Sequence, residues 1–149
     1  MTLHSSTGKL ACGLMLKACP GPLAQGYDFT ALDLDGVVYV DAFDPAKPEA
    51  KRFIDAFKAD TGQEPYNLNG YGYDGVMLAA DAIKRAGGTD KAKVREAMQA
   101  TKGFIGVMGA VGSSYGFADG KRTGFDPNGM VVRVYEGDKP GRVVHTGAR

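Results

Sequence analysis

One stretch constrains the fold more than any other, the run from Glu64 to Gly88 that reads EPYNLNGYGYDGVMLAADAIKRAGG. It opens with asparagines, glycines and three tyrosines, Tyr66, Tyr71 and Tyr73, which predicts an aromatic-rich loop. From about Tyr73 the apolar residues recur at helical spacing, so we expect an amphipathic helix that ends at the closing glycine pair. Rings on such a loop are well placed to line a cleft. The alternative is that the tyrosines only pack the start of the helix.

The residues before this stretch predict a strand and a helix. GVVYVDA at 36–42 is short, β-branched and almost continuously apolar. Such strands are usually covered on both faces, which favours a parallel sheet in an α/β protein. A helix is expected to start at Asp44-Pro45, or one turn later at Pro48, and to stop before Gly62. Its apolar stripe comprises Ala50, Phe53, Ile54 and Phe57.

Further elements follow the central stretch. Thr89 or Asp90 is expected to cap a helix that runs to about Ala100. Residues 104–111, FIGVMGAV, predict a glycine-interrupted strand, and residues 130–135 and 142–146 predict a β-hairpin. Residues 8–18 predict a short helix. The helix from Tyr73 is expected to bury a stripe of Val76, Ala79, Ala80 and Ile83.

Composition restricts the classes of function. The chain has 149 residues and a net charge of +1, from 18 basic and 17 acidic residues that are mixed along the sequence. This distribution predicts no nucleic-acid partner, because it contains no basic stripe. No apolar run approaches the ~20 residues that cross a bilayer. The sequence offers no export signal and leaves open whether Cys12 and Cys19 form a disulfide.

The residues that carry chemistry in other proteins are sparse here. No GxSxG motif or metal-ligand spacing occurs, so we expect no catalytic residues, metal or cofactor. Asp33, Asp41 and Asp44 are interpreted as caps and turn formers rather than cation ligands. The glycines of Gly70–Gly75 have GxGxxG spacing before a helix, which supports an alternative hypothesis, a small α/β nucleotide- or phosphate-binding domain or enzyme.

An ordered series of segments resembles a known family. GVVYVDAFDP, PEAKRFIDAFKADTG, PYNLNGYGYDGVMLAADAIKRAG and DKAKVREAMQA, followed by FIGVMGAV, FDPNG and VVRVYEG, are similar to the C-terminal part of type I periplasmic solute-binding proteins. These are the branched-chain amino-acid-binding, leucine-binding-protein-like components of ABC transporters. The resemblance covers residues 36–112 well and extends less closely to about 145.

The resemblance implies site residues. Tyr66 matches the family's Pro-Tyr loop, whose aromatic ring covers the ligand side chain. Tyr73 matches a position near the hinge, and Tyr71 is a weaker candidate. In the family, the loop before the 36–42 strand commonly supplies an acid for the ligand's amine. Here Leu23 and Gln25 lie near the expected position of that acid, and Asp28 is the nearby replacement, which departs from the family pattern.

The implied fold is α/β, a partial type I periplasmic-binding-protein architecture (Rossmann-like, three-layer), truncated and with a C-terminal β-hairpin. Residues 1–35 match poorly and are interpreted as a remnant of the second lobe. Residues 36–103 correspond to the C-terminal part of the first lobe, and residues 104–149 return toward the second lobe. The implied function is a non-enzymatic, periplasmic substrate-binding component, or a truncated remnant of one, which binds a small amino acid or related polar solute by lobe closure. Its partners would be this ligand and a membrane permease. A further hypothesis is self-association through the surface exposed by truncation.

Overall fold

The computed structural model describes residues 34–125, 127–137 and 139–147, which form a small antiparallel sheet, three helices and a long irregular segment. The expected short helix at 8–18, and both cysteines, lie outside the described residues. The core joins the end of the first strand, the first two helices and the irregular segment. Its buried members are Ala42, Phe43, Ala50, Leu78, Val107, Met108 and Tyr115.

Helix α1, Pro48–Thr61, forms where the sequence predicts it. Of the two expected starts the later one is used: Pro48 occupies the first turn, where its fixed φ suits a helix and its missing N–H is not needed. Gly62 ends the helix in the left-handed conformation with φ 70°, and its N–H donates to the Lys58 carbonyl. Ala50 is fully buried on the core side, as its position in the stripe predicts.

Helix α2, Asn67–Ala86, is longer than the sequence predicts, and it buries a different face. It begins before Tyr71 and Tyr73, which are therefore helical residues. The expected stripe is wrong: Val76 is 69% exposed, whereas the opposite face is buried. That face carries Gly70, Asp74, Leu78 and Ala82, which recur every four residues. The prediction failed because the buried face includes an aspartate and a glycine, which no hydrophobic pattern selects.

Helix α3, Lys91–Gln99, confirms the cap predicted at Asp90, whose carboxylate accepts a hydrogen bond from the Lys93 N–H at 3.0 Å. Arg85 of α2 ties the two helices together. Within α2 its Nε donates to Asp81 at 2.8 Å. One terminal nitrogen donates to the Ala97 carbonyl of α3, and the other donates to the Thr101 hydroxyl at 2.8 Å, just beyond α3.

The sheet has the order β1-β2-β3, with β1 at Val38–Asp41, β2 at Val131–Glu136 and β3 at Lys139–Thr146. Both pairs are antiparallel, which confirms the hairpin and contradicts the parallel sheet expected from residues 36–42. The physical reason is that β1 is covered on one face only. Val38 and Val40 point to the exposed side, so their hydrophobicity did not signal two-sided burial.

Residues 104–111 do not form the predicted strand. They make isolated bridges, Phe104 with Tyr115 and Gly109 with Phe43, the second of which is parallel. The segment is nevertheless buried from Gly106 to Ala110. Side chains therefore hold it in place where a regular ladder is missing, and the chief of these side chains is Asp74.

Candidate ligand-binding cleft

A cleft of ≈ 560 Å³ lies between the sheet and the loop that precedes α2. This volume is within the range of small-molecule pockets. Its walls combine polar and apolar side chains. The polar ones are Tyr39, Asp41, Glu64, Tyr66, Asn67, Arg133 and Lys139, and the apolar ones are Phe43, Pro45, Ile54, Pro65 and Pro140. Such a mixture suits a small solute that has both charged and apolar parts.

Tyr66 is positioned by its own backbone at the start of α2. It is the N-cap residue and is extended, with φ −118° and ψ 175°. Its N–H donates to the Asn69 side-chain oxygen at 3.0 Å, and its carbonyl accepts from the Asn69 N–H at 3.0 Å. This reciprocal pairing fixes the chain direction at the helix start. Tyr66 is half-buried and lines the cleft.

A buried ion pair forms the sheet side of the cleft. Arg133 and Asp41 meet at 3.3 Å, with 10% and 9% of their side chains exposed. Arg133 also donates to the Gly141 carbonyl from two nitrogens, at 2.8 and 3.0 Å. The second carboxylate oxygen of Asp41 accepts from the N–H groups of Ala42 and Phe43. Both charges are thus balanced within the protein, and the pair provides a rigid polar wall.

Two buried polar atoms of the cleft residues have no protein partner among the described residues, the Tyr39 hydroxyl and the side-chain oxygen of Asn67. An unpaired buried polar group costs about 1–3 kcal/mol, so a polar ligand group that reached either atom would gain from pairing with it. Burial raises the pKa of Tyr39 to about 12; Asp41 adds to the rise, while Arg133 opposes it. Tyr39 therefore remains a neutral hydroxyl that can donate or accept a hydrogen bond.

The three predicted tyrosines do not converge on one cavity. Tyr73 contacts Phe53, with ring centroids 5.2 Å apart, and lines a separate cavity of ≈ 290 Å³ between α1, α2 and residues 104–107. Tyr71 lines neither cavity. Burial raises its pKa, with smaller contributions from Asp41 and Asp74. Asp28 lies outside the described residues. The ligand-binding role of all four residues stays a prediction.

The glycine-spaced segment Gly70–Gly75 is not a turn. It lies inside α2, so its N–H groups from Tyr71 onward belong to the helical ladder and cannot form a loop around a phosphate. The phosphate-binding alternative is therefore wrong. Asp41 and Asp44 accept hydrogen bonds from nearby backbone N–H groups, the turn-forming role expected for them. No cluster of three potential metal ligands occurs within the described ranges.

Sequence reasoning missed two buried charges that hold the irregular segment around Met108 in place. Asp74, 1% exposed, accepts hydrogen bonds from the Val107 and Met108 N–H groups and the Tyr115 hydroxyl. Lys47 is equally buried, and its amine donates to the Met108 carbonyl at 2.7 Å. Burial lowers the pKa of Lys47, although Glu49, Asp74 and Asp44 oppose this effect. The sequence signal that could have identified Asp74 as buried is its position four residues after Gly70 and four residues before Leu78, on the same face of the helix.

Comparison with known proteins identifies the family. The sequence model of the periplasmic binding protein family matches residues 12–134. The chain belongs to that family. The match begins well before residue 36, where the motifs of the sequence alone give little resemblance. No protein with a curated description matches the chain.

Solved structures of periplasmic binding proteins share the fold. The leucine-binding protein LivK of Thermotoga maritima MSB8 is 28% identical, with a TM-score of 0.52, and the match covers 75% of this chain and 31% of LivK. A substrate-binding protein of an ABC transporter from Desulfitobacterium hafniense is 26% identical, with a TM-score of 0.58, and is matched over 74% and 31% of the two chains. The type 1 periplasmic binding protein of Bordetella pertussis Tohama I, 23% identical, has a TM-score of 0.58 over 83% and 36%.

The chain therefore spans about a third of the length of these relatives. Their type I fold confirms the expected fold class, of which this chain covers one part. Within the described residues, no helix has the length and apolar character required to cross a membrane.

Proposed function

We propose that this chain is a substrate-binding component, or part of one, of an ABC-type uptake system and that it binds a small amino acid or related polar solute without bond chemistry. The main support for this proposal is the cleft that Tyr66 lines. The volume of this cleft and its mixed polar and apolar walls suit such a ligand. The 28% identical relative is a leucine-binding protein, which supports an amino acid as the first class to test.

In this proposal the Tyr66 ring covers the apolar side chain of the ligand. Tyr39 and Asn67 supply hydrogen-bond partners for its polar end, because their buried oxygens have no protein partner among the described residues. The Arg133–Asp41 pair holds the sheet side of the cleft in place. Neither residue needs to pair with a charge of the ligand, since each already neutralises the other. The membrane permease as partner, the periplasmic location and the lobe assignment of residues 36–103 and 104–149 belong to the same proposal.

Thermal unfolding of the full chain with a panel of amino acids and their amides tests the proposal. A ligand at ~100 times its dissociation constant stabilises a folded binder by about 2.7 kcal/mol. We expect one branched-chain amino acid to raise the melting temperature and Tyr66→Ala to weaken that ligand at least ~10-fold, which corresponds to about 1.4 kcal/mol of lost apolar contact.

Two variants serve as controls. Tyr66→Phe keeps the ring and should bind nearly as well, which separates the aromatic cover from the hydroxyl. Leu68→Ala removes an exposed side chain from the same helix turn and should leave affinity unchanged. A chain that unfolds cooperatively but that no member of the panel stabilises would contradict the proposal.

A further inference from the structure

Asparagine followed by glycine occurs twice in the chain, at Asn69-Gly70 and at Asn128-Gly129. In this dipeptide the glycine nitrogen is the nearest backbone nitrogen to the asparagine carboxamide, and the missing Cβ lets the two groups approach closely. Asparagine is also one of the thermolabile residues of proteins. Because the two dipeptides share the same covalent chemistry, the structure around each of them decides which one reacts.

Asn69 is held in the first turn of α2. Its side-chain oxygen accepts a hydrogen bond from the Tyr66 N–H at 3.0 Å, and the Gly70 N–H donates to the Tyr66 carbonyl at 3.4 Å. Gly70 is also buried, and a Cβ added to it would overlap the Met108 sulfur. The Gly70 nitrogen therefore reaches the Asn69 carboxamide only if the capped first turn opens and the glycine leaves the core.

Asn128 lies in a weaker setting. It is exposed, and it belongs to a single 3-10 turn of three residues, Pro127–Gly129, whereas α2 has 20 residues. A short 3-10 turn has poorer hydrogen-bond geometry than an α-helix, and a segment with few buried contacts opens at a small cost in free energy. The conformation in which the Gly129 nitrogen meets the Asn128 carboxamide is therefore the easier of the two to reach.

The backbone next to Asn128 joins three parts of the structure. Gly129 is buried, and its carbonyl accepts a hydrogen bond from the Ala110 N–H at 2.9 Å. The carbonyl of Met130 accepts from the Gly147 N–H at 3.2 Å. These two bonds attach the irregular segment and the end of β3 to the start of β2. A change in the main chain at this point therefore acts on all three.

We propose that Asn128 is a site of spontaneous deamidation and that the fold protects Asn69. The Gly129 nitrogen attacks Asn128 Cγ, the bond from Cγ to the side-chain nitrogen breaks, and ammonia leaves with the proton that the Gly129 nitrogen gives up. Water then opens the cyclic succinimide at either of its carbonyls, which gives aspartate or isoaspartate. The sum of these steps converts one carboxamide and one water into one carboxylic acid and one ammonia.

Both products change the charge of the chain, and one of them changes its backbone. The new carboxylate lowers the formal net charge by one, from +1 to 0 at pH 7, and proteins near zero net charge associate more readily. Isoaspartate also adds a methylene to the main chain between residues 128 and 129, which displaces the Gly129 carbonyl from the Ala110 N–H. This inference does not depend on which solute the cleft binds.

Peptide mass spectrometry after incubation of the full chain at mildly alkaline pH tests the proposal. Trypsin places the two asparagines in separate peptides, residues 59–84 and 123–133, so their rates are measured in one sample. We expect Asn128 to deamidate at least ~10-fold faster than Asn69, which corresponds to about 1.4 kcal/mol in activation free energy. In urea, where the fold no longer protects Asn69, the two rates should approach each other.

Two variants separate the consequences. Asn128→Gln lengthens the side chain and disfavours ring closure, so the acidic form that accumulates in isoelectric focusing should be lost. Asn128→Asp carries the charge of the product without the added methylene. It should melt with the unmodified chain, because residue 128 is exposed, whereas the isoaspartate form should melt lower.

Four results would overturn the proposal. The first is an Asn69 rate equal to or above the Asn128 rate in the folded chain. The second is a ratio of rates that stays the same in urea, which would assign the selectivity to the sequence alone. The third is an Asn128 that deamidates in urea but not in the folded chain. The fourth is an acidic form that accumulates equally in Asn128→Gln.

Discussion

The buried carboxylate of Asp74 offers the sharpest test of how this structure is held together. It accepts three hydrogen bonds, from the Val107 N–H at 2.7 Å, the Met108 N–H at 2.9 Å and the Tyr115 hydroxyl at 2.8 Å. These bonds fix residues 104–115 onto α2 in place of a regular strand. Replacing Asp74 with alanine leaves three buried donors without an acceptor.

The expected cost follows from those three donors. Each unpaired buried donor costs about 1–3 kcal/mol, and removal of a buried charge offsets part of the sum, so Asp74→Ala should lower the free energy of unfolding by roughly 3–4 kcal/mol. For a domain of this size such a loss lowers the melting temperature by about 10 °C or more. Because small domains are typically stable by only about 5–15 kcal/mol, the effect should be obvious in a urea titration followed by circular dichroism.

Two comparisons make the measurement decisive. Asp81→Ala removes an aspartate from the same helix whose partner is Arg85 at the surface, and it should cost at most about 1 kcal/mol. Tyr115→Phe should cost about 1 kcal/mol alone and much less in the Asp74→Ala background, because the bond is already lost there. A cost for Asp74→Ala below about 1 kcal/mol, or one equal to that of Asp81→Ala, would refute this account.

Two further predictions concern packing and pH. Gly106→Ala should destabilise the chain by about 1–3 kcal/mol in urea unfolding, because the new methyl would overlap the Asp74 carboxylate. The control Gly75→Ala places its methyl in open space within α2 and should stabilise the chain by up to about 1 kcal/mol. Equal effects of the two substitutions on stability would contradict this account. Tyr39 keeps its proton more strongly when folded, with a pKa of about 12 against 10.0, so its contribution to stability is full below pH 10 and is lost as the pH rises through 12. An absorbance titration of phenolate should lose a late-titrating component in Tyr39→Phe, and an unchanged curve would contradict the assignment.

The sequence predicted elements that have local causes. Pro48, Gly62 and the Asp90 cap act through their own backbone geometry or nearest neighbours, and the helix ends they mark are where the structure has them. The face that α2 buries has a distant cause, because it depends on Asp74 meeting residues more than thirty positions away. Hydrophobic periodicity instead selected the face that carries Val76 and Ile83, which is exposed in the structure.

The residues of the candidate cleft fall into the same two groups, those with local causes and those with distant causes. Tyr66 could be named from its Pro-Tyr loop, and it lines the cleft. The sequence could not identify three other cleft residues, Tyr39, Asp41 and Arg133. They lie on β1 and β2, which are separated by some ninety residues, and only the register of these strands brings their side chains together. From the sequence alone, a strand with alternating exposed valines cannot be distinguished from a buried strand, because its partner strand is not known.

The way Arg133 is bound has a consequence for how the tip of the hairpin can vary. Two of its partners are the main-chain carbonyls of Pro140 and Gly141, so neither of these contacts uses a side chain of residues 140 and 141. Asp41 is the partner that contributes a side chain. Beyond the strand ladders, the link from β1 through β2 to β3 therefore depends on the side chains of Asp41 and Arg133 and on the backbone path at residues 140–141. Side-chain changes at position 140 that preserve this path leave the link intact, so the rim of the cleft can diversify in chemistry while its wall stays in place.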